Sequence, residues 1–125
     1  MRTTLLALLL VIARTAAAAD APAPAAKWHI DVNGQAATDG QMQFRVTPHE
    51  GEAITVTVDI KHGRPESFVT KDVSEAFKAQ LSKKRFKSDV VSEKVLLRAG
   101  PAEGDFTVEL VGSTVEGTRI HVTAN

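Results

Sequence analysis

The hydrophobic period of this chain changes twice, and that change restricts its possible folds more than any other feature. Trp28, Ile30 and Val32 alternate with His29, Asp31 and Asn33, and Met42, Phe44 and Val46 repeat the alternation before Pro48. Ile54, Val56, Val58 and Ile60 then point one way while Thr55, Thr57, Asp59 and Lys61 point the other. A period of two assigns side chains to the two faces of a pleated strand, and β-branched residues at nearly every step suit a half-buried sheet. Asn33-Gly34, His49-Glu50-Gly51 and Gly63-Arg64-Pro65 supply the turn residues between these runs.

The spacing then becomes four. Val69, Val73, Phe77 and Leu81, with Ala76 beside them, share one helical face, and Lys71, Ser74, Glu75, Lys78 and Gln80 occupy much of the rest. This predicts one amphipathic helix over about residues 68–83. Ser67 or Thr70 is placed to cap its start, and Lys83, Lys84 and Arg85 to meet the negative end of its dipole. Period two returns afterwards. Phe86–Val91 and Lys94–Ala99 predict a hairpin around Ser92-Glu93; Phe106, Val108 and Leu110 mark another strand, and Ile120 with Val122 the last.

The order β-β-β-α-β-β-β predicts a single α+β domain over residues 27–125. Its expected form is two-layered: a mostly antiparallel sheet of about six to seven strands, with the helix packed on one face. The opposite face is polar by alternation, as a solvated antiparallel surface should be. A β-sandwich with one helical connection is the alternative.

The N-terminus carries a different signal. Arg2 precedes an apolar run at residues 5–13, and Ala17-Ala18-Ala19 stands before Asp20, the layout of a secretory signal peptide over residues 1–19 cut after Ala19. The apolar run is nine residues, whereas a membrane-spanning helix needs roughly twenty. No later segment is apolar enough to span. Residues 20–26, DAPAPAA, predict an extended tether. The chain has no cysteine, so the lipid-modified cysteine of an anchored lipoprotein is absent and the core must hold without disulfides. These features predict a periplasmic or secreted protein of 106 residues with a formal charge of −2. Nucleic-acid binders carry a basic stripe, so that charge argues against such a partner.

Chemistry-bearing residues are sparse. His29, His49, His62 and His121 are separated by 20, 13 and 59 residues, so none forms the close pair typical of a metal site. His29 and His121 share the outward parity of the terminal strands and are the one metal candidate, should those strands pair. His49-Glu50 has Ala53, not histidine, at the spacing a zinc-protease helix requires. The serines lack a nucleophile-elbow setting, and no carboxylate sits in an apolar run that would raise its pKa for acid–base work. The expectation is a protein that is not an enzyme and needs no cofactor.

Residues available for a partner are Trp28, the sole tryptophan, Arg64 in a loop, and the basic run Lys83, Lys84, Arg85 and Lys87. Each has a plain structural role as well: core anchor, loop residue and helix terminus. The resulting expectation is a small exported binding or interaction protein. Its sheet face, loops or an edge strand would meet another envelope or secreted protein, for instance as an inhibitor or immunity-type partner. A periplasmic metal- or small-ligand-binding protein using surface histidines is the alternative, and an uncharacterised enzyme comes last. No residue pattern sets an oligomeric state.

Overall fold

Each alternating run forms a strand, and the spacing-four segment forms the helix. The computed structural model describes residues 22–125, and the signal-peptide segment 1–19 with its cut lies outside them. In chain order the elements are β1 (Lys27–Asn33), β2 (Gly40–Thr47), β3 (Ile54–Ile60), α1 (Glu66–Gln80), β4 (Phe86–Val91), β5 (Lys94–Ala99), β6 (Thr107–Ser113) and β7 (Arg119–Ala124). The fold is α+β with antiparallel strand pairing throughout and the helix packed on a sheet. The strands are shared between two sheets, ordered β4-β5-β1-β7 and β3-β2-β6. Helix α1 touches β3, β4, β1 and β5, so it lies beside the smaller sheet and over part of the larger one. It occupies the place where a fourth strand of the second layer would be.

One core fills the space between the layers. Ile30, Phe44, Val69, Val73, Val95 and Phe77 are all at most 1% exposed. The Phe44 and Phe77 rings lie 5.3 Å apart and join α1 to the small sheet. Phe86 and Phe106 meet edge to face at 5.1 Å and join β4 to the segment entering β6. Such offset and edge-on arrangements suit the ring quadrupoles.

Helix α1 starts and stops earlier than its apolar spacing implies. Pro65, extended at φ −63°, occupies the N-cap position, and among the described residues no side chain caps the helix. Ser67 and Thr70 lie inside the helix, where the Thr70 hydroxyl donates to the Glu66 carbonyl at 3.0 Å. The Glu66 carboxylate instead accepts the Gly34 N–H at 2.7 Å, tying the helix start to the end of β1. At the other end the Gln80 amide donates to the Thr57 carbonyl at 2.7 Å and accepts the Thr57 N–H at 3.0 Å. Leu81 then turns extended with its side chain buried, which ends the helix. Lys83, Lys84 and Arg85 therefore lie beyond the helix; only Lys78 stands in its last turn.

Two connections bear on the site. Ser92 and Glu93 have φ of 50° and 66°, so β4 and β5 are joined by two left-handed residues, the hairpin geometry that matches strand twist. The Ala/Pro segment also stops being a tether sooner than its composition suggests. Ala25 exchanges two 2.9 Å hydrogen bonds with Phe106, and the Ala26 carbonyl accepts the Ala99 N–H. The folded domain thus starts at Ala25, because the backbone groups there complete the end of the sheet. Among the described residues no helix is long and apolar enough to cross a membrane.

Candidate functional site

The residues singled out in the sequence have separate fates. Trp28 is 3% exposed, and its indole N–H donates to the Phe106 carbonyl at 2.8 Å. It is a core residue with no free ring face for a ligand. Arg64 grips Asp72 through two hydrogen bonds of 3.0 and 2.7 Å and lies over the Phe68 ring, which holds it, from the loop before α1, against the first turns of that helix. Arg85 donates to Glu103 at 2.7 Å and to the Glu50 carbonyl at 3.3 Å, pinning two loops together. Hydrogen bonding to Arg85 holds the Glu103 carboxyl below its ordinary range and raises the guanidinium above its own. The rest of the basic run is different. Lys83, Lys84 and Lys87 are exposed and make no ion pair with a described residue.

His29 and His121 do lie on the outer face of paired strands, but diagonally. His29 faces Thr123, and His121 faces Asp31. Among the described residues no group of three histidine or carboxylate side chains converges as a metal site would require.

The strand edges are more informative. Two open sheets have four edges, and an unpaired edge is a template for another chain. The β3 edge runs beside α1 and is closed by the Gln80 amide on Thr57. β6 is broken by a bulge at Val111, where its register against β2 shifts, and its end lies beside β7. The β4 and β7 edges have neither device, and of the two it is β4 that runs beside α1.

Its backbone geometry follows from the hairpin. A two-residue turn makes Val91 and Lys94 a hydrogen-bonded pair, and Asp89/Leu96 and Lys87/Arg98 repeat that state two and four residues on. The N–H and C=O groups of Ser88 and Val90 consequently point away from β5. Phe86 shows the same direction, its N–H bonding outward to the Ser82 carbonyl at 2.9 Å.

A groove follows this edge between β4 and α1. One section of about 380 Å³ is bordered by Phe68, Lys71, Glu75, Lys78 and Val90. A second, of about 350 Å³, continues past Phe86 and Ser88 to Lys83 and Lys87. Phe68 is 48% and Val90 49% exposed, so the groove has apolar walls above outward-facing backbone groups. Below it, the Ser74 and Ser88 hydroxyls hydrogen-bond at 2.8 Å and fix the helix to the strand.

Phe68, Ser88 and Val90 were not singled out by the sequence pattern. Two features of the sequence bear on Phe68 and Val90, and none on Ser88: Phe68 precedes the apolar stripe, and Val90-Val91 places apolar residues on both faces of one short strand. No protein-family model matches the chain, and no curated protein matches it either. The geometry of the β4 edge therefore carries the functional argument.

Proposed function

We propose that this is a small exported binding module that acts by protein contact, not by catalysis, and that its docking surface is the β4 edge with the adjoining α1 groove. One observation carries this: Ser88 and Val90 aim free backbone donors and acceptors outward, next to half-exposed Phe68 and Val90. An added strand would satisfy those groups, and its side chains would enter the groove, the usual division between affinity and specificity in strand addition. The export reading rests on the basic start, the apolar run and the small residues before Asp20.

A photo-crosslinking amino acid at position 90, in full-length protein produced in a bacterial host, tests the surface. Position 109, on the outer face of the other sheet, is the control. A discrete adduct from 90 and none from 109 is the expected result; equal or absent crosslinking overturns the assignment. Recovery of the protein from the envelope fraction with Asp20 as its first residue tests export, and an intact N-terminus there would refute the cleavage site.

A further inference from the structure

We infer that the occupant of the β4 edge is a second copy of this chain, paired antiparallel to the first about a two-fold axis at Ser88. The inference rests on the reading of β4 as the docking edge and adds the identity of the strand that fills it. The sequence Phe86-Lys87-Ser88-Asp89-Val90 is complementary to its own reverse. With Ser88 opposite Ser88 of the second copy, Lys87 faces Asp89 and Phe86 faces Val90, each twice by symmetry. Opposite charges directly across an antiparallel pair stabilise it, and like charges there destabilise it.

Backbone parity selects the same centre. Residues whose polar groups point away from β5 must fill the hydrogen-bonded pairs, which allows a dyad through Phe86, Ser88 or Val90, or between such pairs at Lys87 or Asp89, where Lys87 or Asp89 would face its own like charge. Centring on Phe86 would set Lys87 against Arg85, and centring on Val90 would set Asp89 against Val91 and drive Ser88 into the turn residue Ser92. Ser88 alone satisfies both charge and hydrogen bonding. Each copy then donates from the N–H groups of Ser88 and Val90 and accepts at the carbonyls of Ser88 and Phe86. The Phe86 N–H is already bonded to Ser82, which ends the ladder there.

The packing agrees. A two-fold axis normal to the sheet keeps both helices on the same side, so the two α1 flanks approach each other over the paired strands. Phe68 and Val90 are thereby covered, and the open groove is closed. A C₂ contact of this kind uses one patch twice, and it joins two four-stranded sheets into one. Lys87 and Asp89 are both exposed, and Asp89 also meets Arg98 of its own sheet in a solvent-exposed ion pair of 3.8 Å, a contact worth little, so exchanging the two charges leaves the core untouched.

Sedimentation velocity over a concentration series tests the pairing, with wild type, Asp89→Lys, Lys87→Asp and the double exchange compared. Wild type is expected to dimerise. Each single variant places like charges opposite each other at two symmetric sites and should weaken dimerisation by at least about tenfold. The double exchange should restore it to within about threefold. A wild type that stays monomeric, or a dimer indifferent to the single variants, overturns the inference. The crosslink from position 90 separates this failure from that of the docking surface. An adduct of twice the chain mass supports self-pairing; an adduct of any other mass overturns it while leaving β4 as a docking edge.

Discussion

The hydroxyl pair between α1 and β4 makes a sharp test of how helix and strand are locked together. Ser74 and Ser88 are 1% and 6% exposed, and each hydroxyl has the other as its partner at 2.8 Å. Replacing Ser88 by Ala leaves a sealed Ser74 hydroxyl, and an unmet buried polar group costs about 1–3 kcal/mol. Ser74 is mid-helix and can turn to the carbonyl one turn back, which brings the expected loss to about 1–1.5 kcal/mol. Replacing Ser74 by Ala leaves Ser88, the more exposed of two hydroxyls that both border the groove and so the better able to reach water, and Ala gains up to about 0.5 kcal/mol in helix propensity. That single change should cost about 0.5–1 kcal/mol. With both replaced, no group is orphaned, so the double variant should lie within about 0.5 kcal/mol of wild type. Thermal unfolding at one low protein concentration reads these as Tm shifts of about 5 °C per kcal/mol for a domain of this size. The order wild type ≈ double > Ser74→Ala > Ser88→Ala is expected. A double variant that falls by the sum of the singles would refute the claim that the pair is a self-contained buried unit.

Further outcomes follow from the turn, the loop clasp and the tryptophan. Ser92→Asn with Glu93→Gly should raise stability by about 1 kcal/mol, because left-handed geometry costs an ordinary residue about 1–2 kcal/mol and glycine's added entropy offsets part of the gain; an unchanged Tm would contradict it. Glu103 has its folded pKa depressed by Arg85, so its contribution is present above the ordinary glutamate range and is lost as pH falls through the folded value. Wild type and Glu103→Gln should therefore differ in Tm at neutral pH and converge in acid. Trp28→Phe keeps an aromatic ring but removes the indole donor; since the Phe106 carbonyl also accepts the Ala25 N–H, the expected loss is only about 1–2 kcal/mol by chemical denaturation.

How far the fold was legible depends on what alternation encodes. It states which side chains face inward, and Trp28, Phe44, Val56 and Val95 are buried as their parity requires. It is silent on which strands become neighbours. β2 pairs with β6 across more than half the domain, and β1 lies between β5 and β7; these pairings split the strands into two sheets. The helix limits differ from the apolar spacing for a related reason. Gln80 reads as an ordinary helical residue until Thr57 is found opposite it, and capping by Ser67 or Thr70 ignores that Pro65 already starts the helix. Arginine and tryptophan mislead in a third way, since the groups that would hold a partner also hold Asp72, Glu103 and the Phe106 carbonyl within the chain.

The candidate site was harder to read because being an edge is a property of topology. Phe86–Val91 looks like half of any hairpin, and its self-complementary charge order shows only when it is read against its own reverse. That order has no consequence inside a sheet, where a strand meets neighbours of other sequence. It acquires one only when the strand order leaves β4 with β5 on one side and no strand of the described residues on the other. A strand in that position ordinarily carries some obstacle to pairing, such as a bulge, a proline or a charge aimed inward. β6 has the bulge and β3 has the Gln80 clasp. In β4 the charges Lys87 and Asp89 lie on the outer face, where they choose a register without blocking approach. An edge built to prevent pairing would set like charges across its own dyad; this one sets opposite charges there.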